Sequence, residues 1–238
     1  MTEYSRSLIP GAYAFWEYED LMLFGGALLP SILLGTLISG AATRALHLDK
    51  GIAGFLLQFV AYAGWFVALW LIFRLRYDKP FWSSLGWDPR PAQLAWAFAA
   101  GIALSAALIF ISAFLEKPAV ESPMQELLSR ESTLILVGIF STTVGPLCEE
   151  LAFRGFLMPL FARTFGIAGG IVLAAVPFAI AHAPQIAWSW RHVAIVGLAG
   201  IGFGWARFRT GSTAAATVMH GAYNLTIFAG LLYEKYQW

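Results

Sequence analysis

Residues 146–155 read Pro-Leu-Cys-Glu-Glu-Leu-Ala-Phe-Arg-Gly, and Glu149 and Glu150 are the only side-chain carboxylates between Ser132 and Tyr233. The sequence around them consists of apolar segments of membrane-crossing length. A charged side chain at the bilayer centre costs about 2.5–3.5 kcal/mol on insertion scales. Arg154 follows Glu150 at i+4, a spacing that brings two side chains together on one helical face. The stretch therefore predicts a site at which buried charge is paired or used.

The composition is that of a membrane protein. Of the 238 residues, 59% are hydrophobic and 12% are charged, and the mean hydropathy is +0.68. This predicts an all-α polytopic membrane protein in contact with lipid. The 15 basic and 14 acidic residues give no basic surface for nucleic acid, so no nucleic-acid partner is expected. The single cysteine, Cys148, excludes an internal disulfide and is predicted to be a small packing residue.

Apolar runs predict a bundle of seven transmembrane helices. An eighth crossing is possible if residues 155–162 or the first 20 residues also enter the membrane. The predicted spans are Leu21–Thr43, Gly51–Phe73, Pro91–Leu115, Ser132–Cys148, Thr164–Trp190, His192–Ala206 and Thr210–Tyr233.

The polar linker Glu116–Glu131 divides the predicted bundle. Residues 1–131 form an N-terminal transmembrane scaffold of three spans without charged side chains inside them, together with the linker. Residues 132–238 form the predicted catalytic transmembrane core. Within that core, Gly200 and Gly204 have the small-xxx-small spacing that favours close packing of helices.

Two further polar pairs lie in the C-terminal half, Phe178 with His182 and His220 with Asn224. Residues at i and i+4 are about 40° apart around a helix, so each pair occupies one face. Hydrocarbon is the least favourable surrounding for these groups, which predicts that they face a shared polar cavity. The predicted boundaries put Glu149 and His182 near opposite sides of the membrane. Their meeting requires Glu149 to lie nearer mid-membrane or a helix break, which Pro146 could supply.

A carboxylate, two imidazoles and an amide in such a cavity are suited to hydrolysing an amide bond. The carboxylate can take a proton from water, and one imidazole can hold that water. The other imidazole and the amide NH₂ can donate hydrogen bonds to a developing oxyanion. The arginine can keep one of the two carboxylates ionised and fixed.

The order Glu-Glu-x-x-x-Arg, Phe-x-x-x-His and His-x-x-x-Asn resembles the CPBP family, the CAAX-protease and bacteriocin-processing intramembrane endopeptidases also called Abi proteins. The resemblance covers roughly residues 130–230, and all three motifs match. It implies that Glu149 activates a water molecule that His182 helps to hold, and that His220 and Asn224 form the oxyanion hole. Glu150 and Arg154 would be supporting groups.

The resemblance leaves the cofactor open, because members of the family are often named metalloproteases. Glu149, His182 and His220 would make a three-ligand zinc site with an open fourth position. The sequence contains no His-Glu-x-x-His motif, so a metal would need ligands from three separate elements. The residues slightly favour a glutamate mechanism without metal over a zinc site.

The resulting hypothesis is an intramembrane endopeptidase that cleaves peptide or protein substrates near the membrane, in a bacterial or archaeal cell membrane. One alternative is a non-catalytic bacteriocin-immunity or scaffold protein of the same fold. A less favoured one is a transporter that uses the carboxylates as a proton relay. The pair His220 and Asn224 favours the peptidase, because a proton relay has no evident need for an amide donor.

Overall fold

The computed structural model describes residues 14–115 and 131–237, and every regular element in these ranges is helical. The first 13 residues and nearly all of the linker predicted at Glu116–Glu131 lie outside the described residues. The elements are α1 (Tyr18–Gly26), α2 (Leu28–Leu46), α3 (Lys50–Tyr77), α4 (Phe81–Ser84), α5 (Pro91–Ser112), α6 (Glu131–Ile139), the π-helical segment π1 (Phe140–Val144), α7 (Gly145–Glu150), a second π-helical segment π2 (Leu151–Leu157), α8 (Met158–His182), a 3₁₀ turn (Ala183–Ile186), α9 (Trp190–Thr210) and α10 (Thr213–Tyr236).

Several helix ends follow local sequence signals. Asp49 precedes α3 and accepts a hydrogen bond from the backbone N–H of Gly51 at 2.8 Å. Ser212 precedes α10 and accepts from the N–H of Ala215 at 3.2 Å. Both are N-cap interactions, which satisfy a donor that has no partner inside the helix. Pro91 occupies the first position of α5, where its missing N–H costs nothing.

Five helical stretches in the described residues are long and apolar enough to cross a membrane. They are Tyr18–Leu46, Lys50–Tyr77, Pro91–Ser112, Thr133–Ile186 and Thr213–Tyr236. The chain is therefore an all-helical integral membrane protein, while the predicted count of seven to eight spans is not confirmed. The single 54-residue stretch Thr133–Ile186 covers most of two predicted spans, Ser132–Cys148 and Thr164–Trp190. Helix α9, which contains three arginines, is not among the five stretches.

The predicted helix end at Cys148 is wrong. The chain stays helical through the Glu-Glu stretch until Gly166, which has φ 74° and ψ 172°. A Cβ on Gly170 would lie 2.8 Å from the carbonyl oxygen of Met158, so the chain folds back on itself at Gly166. Glu149 consequently lies near the middle of the helical run 131–165, and this position lets it meet His182. Pro146 does not break the run, because α7 continues through it.

Small residues set the close approach of helices around the C-terminal half. Gly101 of α5 lies directly against the backbone carbonyl of Met219 in α10, where no Cβ would fit. Gly221 of α10 lies equally close to π1, since a Cβ there would be 2.6 Å from the carbonyl oxygen of Thr142. These contacts hold α10 between α5 and π1, and α10 carries His220 and Asn224.

Candidate active site

Two π-helical segments flank the short helix that carries the glutamates. Pro146 has no N–H to bond the carbonyl of Thr142, so one α-helical hydrogen bond is missing where π1 meets α7, although the chain stays helical. The hydroxyls of Thr142 and Thr143 donate to the carbonyls of Gly138 and Ile139 at 2.7 and 2.6 Å. Single π-helical turns occur often at functional sites because they redirect side chains and free backbone groups.

The two adjacent glutamates occupy different surroundings. Neighbouring residues on a helix point about 100° apart. The side chain of Glu150 is 0% exposed, whereas that of Glu149 is 18% exposed and lines a cavity. Only Glu149 is therefore placed to meet a molecule that enters from outside.

Glu150 is held by an arginine and a histidine from two helical segments. Its Oε1 accepts from Nη1 of Arg154 at 2.9 Å and lies 2.9 Å from Nδ1 of His220. Nη2 of Arg154 donates to the carbonyl of Gly200 in α9 at 2.7 Å, and its guanidinium lies 4.4 Å from the ring centroid of Phe178. The buried carboxylate is thus paired and hydrogen-bonded through Oε1, while its Oε2 is buried without a hydrogen-bond partner among the described residues.

Glu149 lies opposite two imidazoles. Its Oε2 is 3.5 Å from Nε2 of His182 and 3.9 Å from Nε2 of His220. His182 directs Nδ1 to the carbonyl of Phe178 at 2.8 Å. Since a carbonyl only accepts, Nδ1 of His182 carries the hydrogen. Both histidines therefore have Nδ1 engaged and turn Nε2 toward one carboxylate oxygen.

Asn224 lies one turn beyond His220 on α10. Its Nδ2 donates to the carbonyl of Ser141 in π1 at 2.7 Å. The amide NH₂ has two hydrogens, so this contact orients the group and leaves one hydrogen for another acceptor. The structure thus brings all six predicted site residues into one region, with Glu149, His182 and Asn224 on the wall of the cavity.

The cavity has a volume of about 340 Å³ and a largely apolar wall. The prediction of a polar cavity is accordingly not confirmed. Its lining comprises Phe55, Gln58, Val137, Phe140, Ser141, Gly145, Pro146, Glu149, His182, Gln185, Asn224, Ile227, Phe228 and Leu231.

Sequence reasoning missed several residues around the site. Phe55 and Gln58 come from α3, in the half predicted to be scaffold alone. Gly200 and Phe203 come from α9. The spacing of Gly200 and Gly204 predicted close packing of this helix but no contact with the site. The ring of Phe203 lies over the imidazole of His220 with a centroid distance of 4.4 Å. No polar motif marks any of these positions, so only the assembled helices reveal them.

The donor types at Glu149, His182 and His220 are those that zinc binds. Within residues 14–115 and 131–237, however, no group of three or more His, Cys, Asp and Glu side chains is arranged to hold a metal ion. The geometry as it stands does not fit a preformed zinc site. Metal dependence stays a prediction that needs a direct test.

Comparison with known proteins gives a family for the C-terminal half. Residues 131–226 match the family model "Type II CAAX prenyl endopeptidase Rce1-like". No curated protein and no solved structure matches the chain. The matched residues contain the glutamate pair, the arginine, both histidines and the asparagine described above. This match supports the CPBP family of CAAX proteases for residues 131–226.

Proposed function

We propose that the protein is an intramembrane endopeptidase in which Glu149 activates a water molecule. The family match over residues 131–226 supports a membrane protease, and a protease implies a peptide substrate. The observation that carries the finer proposal is the convergence of two imidazole Nε2 atoms, 3.5 and 3.9 Å away, on Oε2 of Glu149. This oxygen is buried and accepts no hydrogen bond within the described residues. A carboxylate oxygen with spare acceptor capacity beside two imidazoles is suited to hold and deprotonate water.

In the proposed reaction, the water first donates one hydrogen bond to Oε2 of Glu149. The water donates a second hydrogen bond to Nε2 of His182. In the neutral imidazole this nitrogen carries no hydrogen, because the hydrogen is on Nδ1, which donates to the carbonyl of Phe178. The water oxygen attacks the substrate carbonyl carbon as its proton passes to Glu149. The resulting tetrahedral oxyanion accepts from His220 and from the second amide hydrogen of Asn224. The proton on Glu149 then passes to the leaving amine, and the carbon–nitrogen bond breaks.

Glu150 and Arg154 act on the reaction through His220. Glu150 accepts at Nδ1 of His220 and so directs the other ring nitrogen toward the reacting atoms. In this arrangement Nδ1 of His220 donates to Glu150 and Nε2 donates to the oxyanion, so both ring nitrogens of His220 must carry a hydrogen. Arg154 fixes Glu150 in turn and is itself anchored to the carbonyl of Gly200.

Peptidase activity is tested with purified protein in liposomes and a fluorogenic farnesylated peptide that ends in a CAAX sequence. This probe follows the description of the matched family. We expect cleavage by the intact chain and a loss of at least about 10²-fold in Glu149→Gln, because general-base catalysis contributes about 10²–10⁴-fold. Glu234→Gln, which changes an exposed carboxylate on α10, is the matched control and should keep full activity.

If the farnesylated peptide is not cut, new protein N-termini are compared in cells carrying the intact chain and cells carrying Glu149→Gln. Products that depend on Glu149 keep the peptidase proposal and identify another substrate class. Identical N-termini together with a phenotype of the intact chain would reject catalysis in favour of a scaffold or immunity role. A phenotype that depends on Glu149 without any cleavage would instead favour a proton relay.

The two mechanistic accounts are separated by chelation. The enzyme is treated with 1,10-phenanthroline, dialysed and assayed before and after zinc is added. Unchanged activity supports the glutamate mechanism without metal. Loss that zinc restores would mean that Glu149, His182 and His220 rearrange around a metal ion, and the proposed role of Glu149 as a free base would be abandoned.

A further inference from the structure

Phe203 on α9 touches His220, one of the two proposed oxyanion donors, and Arg154, which supports His220 through Glu150. Its ring is stacked on the imidazole of His220 at 4.4 Å between centroids and 18° between planes. The guanidinium carbon of Arg154 lies 5.4 Å from the centroid of the same ring. Phe203 is 0% exposed. It therefore cannot contact a substrate directly, and any effect on the reaction must pass through its neighbours.

The hydrogen bond to Glu150 by itself does not fix the imidazole. A single contact at Nδ1 leaves the ring free to rock about that bond, which would swing Nε2 away from Glu149. The flat face of Phe203 removes this freedom on one side of the ring. Phe178 meets the same imidazole edge-on, at 5.7 Å and 77°. Aromatic pairs in these stacked and edge-to-face arrangements are each worth about 0.5–1.5 kcal/mol beyond burial.

Phe203 is itself fixed by its surroundings. Phe178 and Tyr223 approach its ring edge-on at 6.2 and 5.6 Å. Three residues earlier on the same helix, Gly200 accepts the hydrogen bond from Arg154. A Cβ on Gly200 would lie 3.1 Å from Nη2 of Arg154 and 3.0 Å from Cδ1 of Phe178. One face of α9 thus supports both the arginine and the histidine.

We propose that Phe203 is a positioning residue of the peptidase, and that its ring fixes the plane of His220 so that Nε2 faces the reacting atoms. The inference rests on the proposed function. It extends the site to α9, a helix that contributes none of the residues of the three sequence motifs. Phe203 acts in the transition state, where His220 acts, rather than in the binding of the peptide.

The test compares Phe203→Leu, which keeps an apolar side chain without a flat face, with Phe203→Tyr, which keeps the ring. Phe73→Leu is the matched control, because Phe73 is also 0% exposed but lies on α3 in a separate core cluster. We expect kcat of Phe203→Leu to fall about 10²-fold, the loss that a misplacement of about 1 Å can cause. KM should stay within about twofold, as for a group that acts in the transition state. Phe203→Tyr should recover most of kcat.

Thermal unfolding separates positioning from packing. Phe203→Leu and Phe73→Leu should lower Tm by similar amounts, while only Phe203→Leu loses kcat. Equal kcat in these two variants would overturn the proposal and leave the peptidase assignment intact. Loss of kcat in Phe203→Tyr equal to that in Phe203→Leu would also overturn it, because the ring would then have no special role.

A double substitution keeps the proposal testable even if Phe203→Leu is poorly stable. If Phe203 acts through His220, adding Phe203→Leu to His220→Ala should leave the residual kcat per folded molecule unchanged. A further loss of about 10²-fold in the double variant would show that Phe203 acts elsewhere. Absence of cleavage by the intact chain, by contrast, would contradict the proposed function itself.

Discussion

Arg154 is the side chain on which the buried charges of the site depend. It pairs with Glu150, donates to the carbonyl of Gly200 and lies over the ring of Phe178, and its side chain is only 1% exposed. Removing one partner of a buried ion pair leaves an uncompensated charge, which typically costs about 3–5 kcal/mol. The pairing at i+4 was readable from the sequence, whereas the carbonyl of Gly200 and the ring of Phe178 were not, because both come from other helices.

We expect Arg154→Ala to lower the free energy of unfolding by about 3–5 kcal/mol. Arg154→Lys should lower the free energy of unfolding by a smaller amount, because it keeps the positive charge. Some loss should remain, because lysine has no planar guanidinium to reach Glu150 and Gly200 together. Thermal unfolding of both variants in the same detergent shows which of the two is less stable. Arg163→Ala is the control, because Arg163 pairs with the exposed Glu17 and should contribute about 1 kcal/mol or less. Arg154→Ala as stable as Arg163→Ala would contradict this account.

Among the helices, the approach of α10 to π1 sets the position of His220 and Asn224. Thr142 and Ser141 of π1 face α10, the first against Gly221 and the second through its hydrogen bond to Asn224. Gly221 directly follows His220. The helices and their polar faces could be predicted from apolar runs and i,i+4 pairs. The π-helical segment π1 could not, because it depends on where the backbone groups displaced by Pro146 find new partners.

We expect Gly221→Ala to push α10 away from π1, since the new Cβ would lie 2.6 Å from the carbonyl oxygen of Thr142. Overpacking of this kind costs about 1–3 kcal/mol, and the displacement of His220 and Asn224 should lower kcat as well. Gly230→Ala on the same helix is the control, because a Cβ there meets nothing within 4 Å. That variant should be neutral or slightly stabilised through helix propensity. Cleavage assays and thermal unfolding give kcat and Tm of both variants. Equal values in the two variants would contradict the close approach of α10 to π1 at Gly221.

For the molecule as a whole, the two halves share the cavity. α3 contributes Phe55 and Gln58 to a wall whose other side carries Glu149 and His182. The division into a scaffold of residues 1–131 and a core of residues 132–238 stays a proposal, since the N-terminal half also lines the site. Composition predicted an integral membrane protein, and three motifs singled out the residues that the helices bring together, whose roles stay a prediction. Uncharged side chains such as Gln58 carry no such signal, because an amide inside an apolar run has many possible structural roles.

We expect Gln58→Leu to raise KM for the peptide about fivefold to tenfold with little change in kcat. The amide of Gln58 contacts Tyr62 at 3.3 Å and faces the cavity, where it can bond a peptide group of the substrate. One such hydrogen bond is worth about 1 kcal/mol. Gln93→Leu on α5, outside the described lining of the cavity, is the control. Steady-state kinetics measure both, and an unchanged KM in Gln58→Leu would exclude Gln58 from substrate binding.

The spacing of Glu150 and Arg154 also bears on how the chain is made. The two residues lie on one continuous helical run and meet at 2.9 Å without help from any other helix. The charge of this segment can therefore be neutralised as soon as the segment becomes helical, while it leaves the translocation machinery and before later segments are synthesised. His220 reaches Glu150 only after α10 has been inserted. We therefore expect the ion pair to form during insertion and the contact between Glu150 and His220 to form last.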